Sequence, residues 1–264
     1  MSNLIPKIIH YCWFGHNELP PLAQKCIASW HMYFPDYEIK KWDEDNFDVN
    51  QIPYTQQAYR CKKFAFVSDY ARFKILYDNG GIYFDTDVEV IRPMDEIIAQ
   101  APYMGIETEE YSFGKTNITC SVNPGLGFAT PPRHPFFKEM IDLYSSLDFE
   151  ANRKDYALKT ITQYTSEILQ KKGWSPEKGA ISKTDDITIF PKQYFNPFSN
   201  KKGTFEITDS TYSIHHYASS WLTPRQKLIN KNKYISLLFW LLHRSPRQNL
   251  NGLIRVLKER KIWH

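Results

Sequence analysis

Apolar residues fall in short bursts separated by polar or turn-forming stretches, and the spacing within each burst predicts its element. Residues 5–13 (Ile5-Pro6-Lys7-Ile8-Ile9-His10-Tyr11-Cys12-Trp13) read as a buried first strand, ended by Gly15 and the Pro20-Pro21 pair. Residues 22–33 place Leu22, Cys26, Ile27 and Trp30 at helical spacing. Residues 37–42 form a short second strand, and the acidic loop Asp43-Glu44-Asp45 follows. Strands alternating with helices from the start predict an α/β fold.

The most informative stretch is 64–93. From residue 65 to 77 the positions Phe66, Tyr70, Phe73 and Tyr77 recur at i, i+4, i+7 and i+11, which predicts a helix with one buried stripe. Asn79-Gly80-Gly81 stops it, because glycine takes up a left-handed cap without steric cost. Residues 82–90 then alternate: Ile82, Phe84, Val88 and Val90 on one face, Tyr83, Asp85, Asp87 and Glu89 on the other. The expectation is a single strand carrying Asp85 and Asp87 on one side. Farther on, 120–129 (CSVNPGLGFA) is turn-rich, 136–147 and 156–171 read as helices, 184–196 as strand then loop, and 212–221 as a strand with a polar end.

Composition narrows the class. In 264 residues, 42% are hydrophobic and 23% charged, which excludes a disordered chain and is ample for a core. No run approaches the length of a membrane-spanning helix. The first residues, MSNLIPKIIHYCWFG, lack the features of a signal peptide, so the expected location is the cytoplasm. Cys12, Cys26, Cys61 and Cys120 are scattered without a C-x-x-C pair, which argues against a zinc site or a disulfide framework.

Charge is uneven. Residues 225–264 hold ten Lys/Arg against the single acid Glu259, while the other 224 residues carry 23 basic and 28 acidic side chains. A mildly acidic body with a basic tail does not suit duplex wrapping, so no nucleic-acid partner is expected. Within the tail, Leu250, Leu253, Ile254 and Leu257 form a stripe opposite Arg255, Lys258, Arg260 and Lys261. That pattern predicts a basic amphipathic helix and peripheral contact with an anionic membrane at its inner face; a helix packed on its own domain or on a second subunit is the alternative.

Four constellations carry candidate chemistry. Asp85-Thr86-Asp87 offers hard oxygen ligands to a divalent cation whose remaining ligands would be phosphate oxygens. Asp69 and Arg72, three apart on the preceding helix, form either an ordinary ion pair or a fork aimed at a ligand. Trp13, at the carboxyl end of the first strand, is either a stacking platform for a base or a core tryptophan. His215-His216-Tyr217-Ala218-Ser219-Ser220-Trp221 can supply a metal ligand and an indole donor, or simply be a packed strand. Neither phosphate-loop motif is present, nor G-x-S-x-G or H-E-x-x-H.

Taken in order, IPKIIHYCWFG, SDYARFKILYDNGGIYFDTDVEV, NPGLGF and HHYASSW resemble the sugar-binding-region D-x-D glycosyltransferases of family 32. The resemblance spans residues 4–222 and implies a GT-A fold, a Rossmann-like mixed sheet flanked by helices. The implied organisation is a catalytic domain over 1–224 and a helical basic tail over 225–264. It further implies retaining, metal-dependent transfer of a hexose from a nucleotide-sugar, expected to be a UDP-sugar, with Mn2+ or Mg2+ as cofactor. The acceptor would be a saccharide or lipid-linked saccharide in surface polysaccharide synthesis, such as a capsule.

By position, the resemblance puts Trp13 on the base with His10 and Tyr11 nearby, and Asp69 and Arg72 on the donor sugar. Asp85 would contact ribose or sugar hydroxyls, and Asn123 would lie near the transferred sugar. Asp87, His216 and Ser219 would bind the metal, and Trp221 would donate to the β-phosphate. Asp69, Arg72, Asp85 and Asp87 are the catalytic set. The alternatives are a nucleotide-sugar-binding protein without turnover, or a membrane- or nucleic-acid-binding protein acting through its tail.

Overall fold

The computed structural model describes residues 5–111, 118–149, 159–177, 179–199 and 202–218. The first half runs β1 (Ile8–Cys12), α1 (Pro21–Tyr33), β2 (Glu38–Trp42), α2 (Pro53–Arg60), α3 (Phe64–Asn79), β3 (Gly81–Tyr83), β4 (Val88–Val90) and α4 (Asp95–Ile98). The second half runs β5 (Tyr103–Tyr111), β6 (Ile118–Val122), β7 (Phe128–Thr130), α5 (Pro135–Ser145), α6 (Ile161–Lys171), β8 (Ser182–Thr184), β9 (Ile187–Phe190), β10 (Phe198–Ser199), β11 (Thr204–Phe205) and β12 (Ser213–His215). The α/β class expected from the alternation is the class found.

The main sheet has eight strands in the order β2-β1-β3-β7-β5-β9-β8, with β6 added on β5. β1 pairs in parallel with β2 and β3, and β5 with β9, while β7 runs antiparallel to both β3 and β5. The sheet is therefore mixed, and its central strands are covered on both faces. One face packs on α3, α2 and α5 through Phe73, Phe128, Phe137 and Tyr144. The other packs on α1 through Ile9, Tyr11, Trp30 and Phe84. Burying residues of this size supplies roughly 2 kcal/mol per side chain.

Two expectations change. Helix α3 does not bury a single stripe: Val67, Asp69, Tyr70, Ala71, Arg72, Phe73, Ile75 and Leu76 are all buried, whereas Phe66 and Tyr77 are only partly so. It lies between the sheet and the α2–α5 layer, so nearly its whole circumference is covered. Two polar residues, Asp69 and Arg72, are carried into the interior with it.

The strand expected over 82–90 is broken. β3 ends at Tyr83, the Val88 amide donates to the Asp85 carbonyl at 3.0 Å to close a turn, and β4 leaves the main sheet to pair with β12. Asp85 and Asp87 stand in that break and not on one strand face. The entry to β3 is set by Gly80 and Gly81, with φ of 67° and 97°. A Cβ on Gly81 would come within 2.6 Å of the Ile8 carbonyl oxygen, so only glycine lets β3 start against β1.

The helix expected from 156 begins at Ile161 within the described residues, with Thr160 and Gln163 forming a capping box. The expectations for Ser219, Trp221 and the basic tail over 225–264 lie outside the described residues. Among the described residues, no helix is long and apolar enough to cross a membrane.

Candidate active site

The site is built on the buried turn of α3 and the strand break. Arg72 uses its whole guanidinium: Nε donates to the Ser68 carbonyl at 3.0 Å, Nη2 to Asp69 Oδ1 at 3.2 Å, and Nη1 to Asp85 Oδ2 at 3.3 Å. Its Cζ also lies 4.9 Å from the ring centroid of Tyr83, whose hydroxyl donates to Asp85 Oδ1 at 3.1 Å. Burial works against the Arg72 charge, but Asp85, Tyr83 and Asp69 outweigh it and keep the group protonated. Burial pushes the Asp69 carboxyl up to about 7, opposed by Arg72 and reinforced by the Asp85 charge. Asp69 and Arg72 thus form a buried ion pair that also braces Asp85.

Asp85 is also fixed from the other side. Its amide donates to the Gly125 carbonyl at 3.3 Å, and a Cβ on Gly125 would stand 2.1 Å from Asp85 Oδ2. Asn123 shapes that turn: its Oδ1 accepts from the Gly125 amide at 2.7 Å and its Nδ2 donates to Glu107 Oε1 at 2.8 Å. Asn123 therefore reaches the Asp85 neighbourhood through Gly125.

Asp87 meets β12. Register pairs His215 with Val88, and His215 Nε2 lies 3.2 Å from Asp87 Oδ1. Burial opposes charge on His215, yet Asp87 outweighs it and lifts the imidazole above its usual pKa. The neighbouring His216 points elsewhere. Its amide donates to the Asp87 carbonyl at 2.9 Å, but its Nε2 pairs with Glu89 Oε2 at 2.8 Å. Lys25 meets the same Glu89 at 2.8 Å, and against the pull of burial these two partners hold the Glu89 carboxyl below its usual range. The histidine beside the two aspartates is thus His215, one residue before the position singled out in the sequence.

Residues expected around a base sit within β1 and just after it. His10 is fully buried, accepts from Trp42 Nε1 at its Nδ1 (3.0 Å) and donates from Nε2 to the Gly80 carbonyl (3.0 Å). Tyr11 is buried against Trp30, ring centroids 5.7 Å apart. Trp13 is partly buried, and its Nε1 donates to the Asn17 carbonyl at 2.7 Å. Of the three, Trp13 is the one whose ring is not enclosed.

The carboxylates and imidazole fit a divalent cation. One ligand atom each from Asp85, Asp87 and His215 lies within 4.8 Å of the others. His215 Nδ1 is buried with no hydrogen-bond partner among the described residues, so the ring has unused ligand capacity. Two hard carboxylates suit magnesium or manganese, and the imidazole shifts the preference to manganese.

The sequence singled out the cluster that holds His215 and Tyr217 but gave the metal role to His216, and it gave no site role to Tyr83 or Glu107. The hydroxyl of Tyr217 donates to the Glu107 carboxylate and accepts from Asn196 Nδ2 at 2.5 Å, and its ring meets the His215 ring edge-on at 4.2 Å. Tyr217 also holds a left-handed φ of 49°, a strained conformation for an aromatic residue. Only the H-H-Y triplet signalled this region, and its spacing does not say which histidine faces the aspartates.

Residues 20–104 match the family model described as glycosyltransferase sugar-binding region containing DXD motif. An uncharacterized glycosyltransferase, L373, of Acanthamoeba polyphaga mimivirus is 26% identical over 250 residues, covering 88% of this chain and 90% of that protein. Inositol phosphoceramide mannosyltransferase 3 of Schizosaccharomyces pombe is 31% identical over 151 residues, covering 53% of this chain and 37% of that protein. The initiation-specific alpha-1,6-mannosyltransferase of Candida albicans is 24% identical over 289 residues, covering 83% and 73% respectively. The chain thus spans nearly all of the viral relative but well under half of the fission yeast enzyme. These likenesses make the chain a glycosyltransferase, and its residues 20–104, which include Asp69, Arg72, Asp85 and Asp87, are the part similar to the sugar-binding region containing the D-x-D motif.

Proposed function

We propose that Asp85, Asp87 and His215 hold a divalent cation, manganese ahead of magnesium, against the diphosphate of a nucleoside-diphosphate hexose. The chain then passes the hexose to a saccharide or lipid-linked acceptor. The observation that carries this reading is the convergence of the three ligand atoms at a strand break backed by a buried arginine. When bound, the cation supplies Lewis-acid neutralisation of the charge that develops on the leaving diphosphate.

The protein's own residues prepare the site. Arg72 and Tyr83 fix both oxygens of Asp85, so that carboxylate is presented in one orientation and costs no reorganisation on binding. Asp69 keeps Arg72 from turning away. Trp13, at the end of β1, is the remaining platform for the base. Retention of anomeric configuration and a UDP carrier follow from the family resemblance. The names of the fungal relatives make mannose the first hexose to try.

Calorimetry with UDP, GDP and their hexose conjugates tests this, with manganese or with chelator, on the wild-type chain and on Asp87→Ala. The expected result is metal-dependent binding of one nucleotide that Asp87→Ala abolishes. It should be accompanied by a fall in transfer of about 10³-fold, the scale of removing one electrostatic contact in a preorganised site. Binding indifferent to chelator and to Asp87→Ala would overturn the reading.

A further inference from the structure

Beside the carboxylate–histidine cluster lies a cleft of about 310 Å³ between β5, the β10–β11 pair and the residues that follow β12. One wall is polar: Glu107, Asn196 and Lys192 face it together with the Tyr217 hydroxyl. The other wall is aromatic. Phe198 and Phe205 pair across β10 and β11 with centroids 5.4 Å apart, and Phe205 remains 39% exposed.

The chemistry of the walls selects the occupant. One carboxylate, one ammonium and the His216 imidazole, itself paired with Glu89, line the cleft, so a neutral ligand meets little net charge. A phosphate would face Glu107, and an aliphatic chain would leave the remaining ammonium donors of Lys192 unmet. A sugar ring satisfies both, with its C–H face against an aromatic side chain and its hydroxyls on a carboxylate, an amide and an ammonium. The Lys192 ammonium donates to the Phe198 carbonyl at 2.7 Å and has two further protons to offer.

Position ties the cleft to the reaction. Glu107 is bound by Asn123, which holds Gly125 against Asp85, and by Tyr217, whose ring abuts His215. A hydroxyl resting on Glu107 is therefore connected to His215 through the Tyr217 side chain and to Asp85 through Asn123 and Gly125. Tyr217 keeps its strained backbone where the Glu107 and Asn196 bonds and the His215 contact all hold it, the usual circumstance in which strain persists.

We propose that this cleft is the acceptor subsite, that it seats a neutral pyranose ring against Phe205, and that Glu107 takes the hydrogen bond of an acceptor hydroxyl. The proposal rests on the donor-site reading above. It assigns Phe205 to acceptor recognition and Glu107 to positioning of the hydroxyl.

The test is ligand-observed saturation-transfer NMR on the full chain, with manganese and UDP present. Methyl α-mannopyranoside and methyl α-glucopyranoside serve as probes and glycerol as control. The expected result is saturation of at least one pyranoside and none of glycerol. Phe205→Ala should weaken the pyranoside about tenfold, the usual cost of truncating an aromatic anchor, while Phe205→Tyr keeps it. Glu107→Gln should weaken the pyranoside by more than it weakens UDP, whose affinity is measured by calorimetry. Equal pyranoside binding by wild type and Phe205→Ala, or UDP binding with no pyranoside response, would overturn the acceptor subsite. Pyranoside binding that depends on Phe205 without any nucleotide binding would instead count against the donor site and leave the cleft standing.

Discussion

His10, in the middle of β1, and His215, at the end of β12, are both buried histidines on paired strands, and they are in opposite chemical situations. His10 has both ring nitrogens engaged, Nδ1 by Trp42 and Nε2 by the Gly80 carbonyl, and burial lowers its pKa to about 4. His215 has one nitrogen against Asp87, the other without a partner, and a pKa lifted above the ordinary value by that carboxylate. The first is a closed joint linking β1, β2 and the start of β3. The second keeps one nitrogen without a hydrogen-bond partner beside two carboxylates, the feature on which the proposed metal position rests. The difference teaches that burial alone does not mark function; an unmet bonding capacity beside convergent carboxylates does.

Breaking the buried ion pair that braces Asp85 should have the largest effect. Arg72→Ala leaves Asp69 and Asp85 facing each other without the guanidinium, and Arg72 is only 5% exposed. A loss of about 3–5 kcal/mol in urea denaturation is expected. A loss near zero would mean that the arginine is not the element that holds the aspartates.

Gly125→Ala should come next. The new methyl would stand 2.1 Å from Asp85 Oδ2, so Asp85 must shift, and a displacement of that size should lower transfer about 10²-fold in initial-rate measurements. Thermal melting should move less than for Arg72→Ala.

The closed joint is then tested by pH and by substitution. Its folded pKa of about 4 lies below the unfolded 6.5, so between those values the unfolded chain binds more protons. The His10 contribution is complete above pH 6.5 and is lost as pH falls toward 4. Denaturation should show about 2 kcal/mol lost between 6.5 and about pH 5 from this residue, a slope that His10→Ala removes. That variant should also lose about 2 kcal/mol at neutral pH, because Trp42 Nε1 and the Gly80 carbonyl lose their partner. His216→Ala should do least: its Glu89 pairing is peripheral and worth under about 1 kcal/mol.

Local patterns in the chain made much of this legible. Helix α3, the Gly80-Gly81 stop and the two aspartates could all be read from spacing, because each depends on neighbours within a few residues. The break between β3 and β4 could not. Its alternation reads as continuous, and the cause is the Asp85–Val88 turn together with a β4 partner more than 120 residues away. The same long-range pairing decides between His215 and His216, since a shift of one residue along a strand turns the side chain to the other face. Glu107 was invisible for a related reason. A single acid on a strand carries no local mark, and only the fold brings Asn123 and Tyr217 to it.

The central claim is that Asp85, Asp87 and His215 together form the metal position. Titration of manganese followed by electron paramagnetic resonance tests it directly, on the wild-type chain, His215→Ala and His216→Ala. The account predicts affinity at least about tenfold weaker for His215→Ala and unchanged for His216→Ala. Weaker binding in His216→Ala with full affinity in His215→Ala would contradict it.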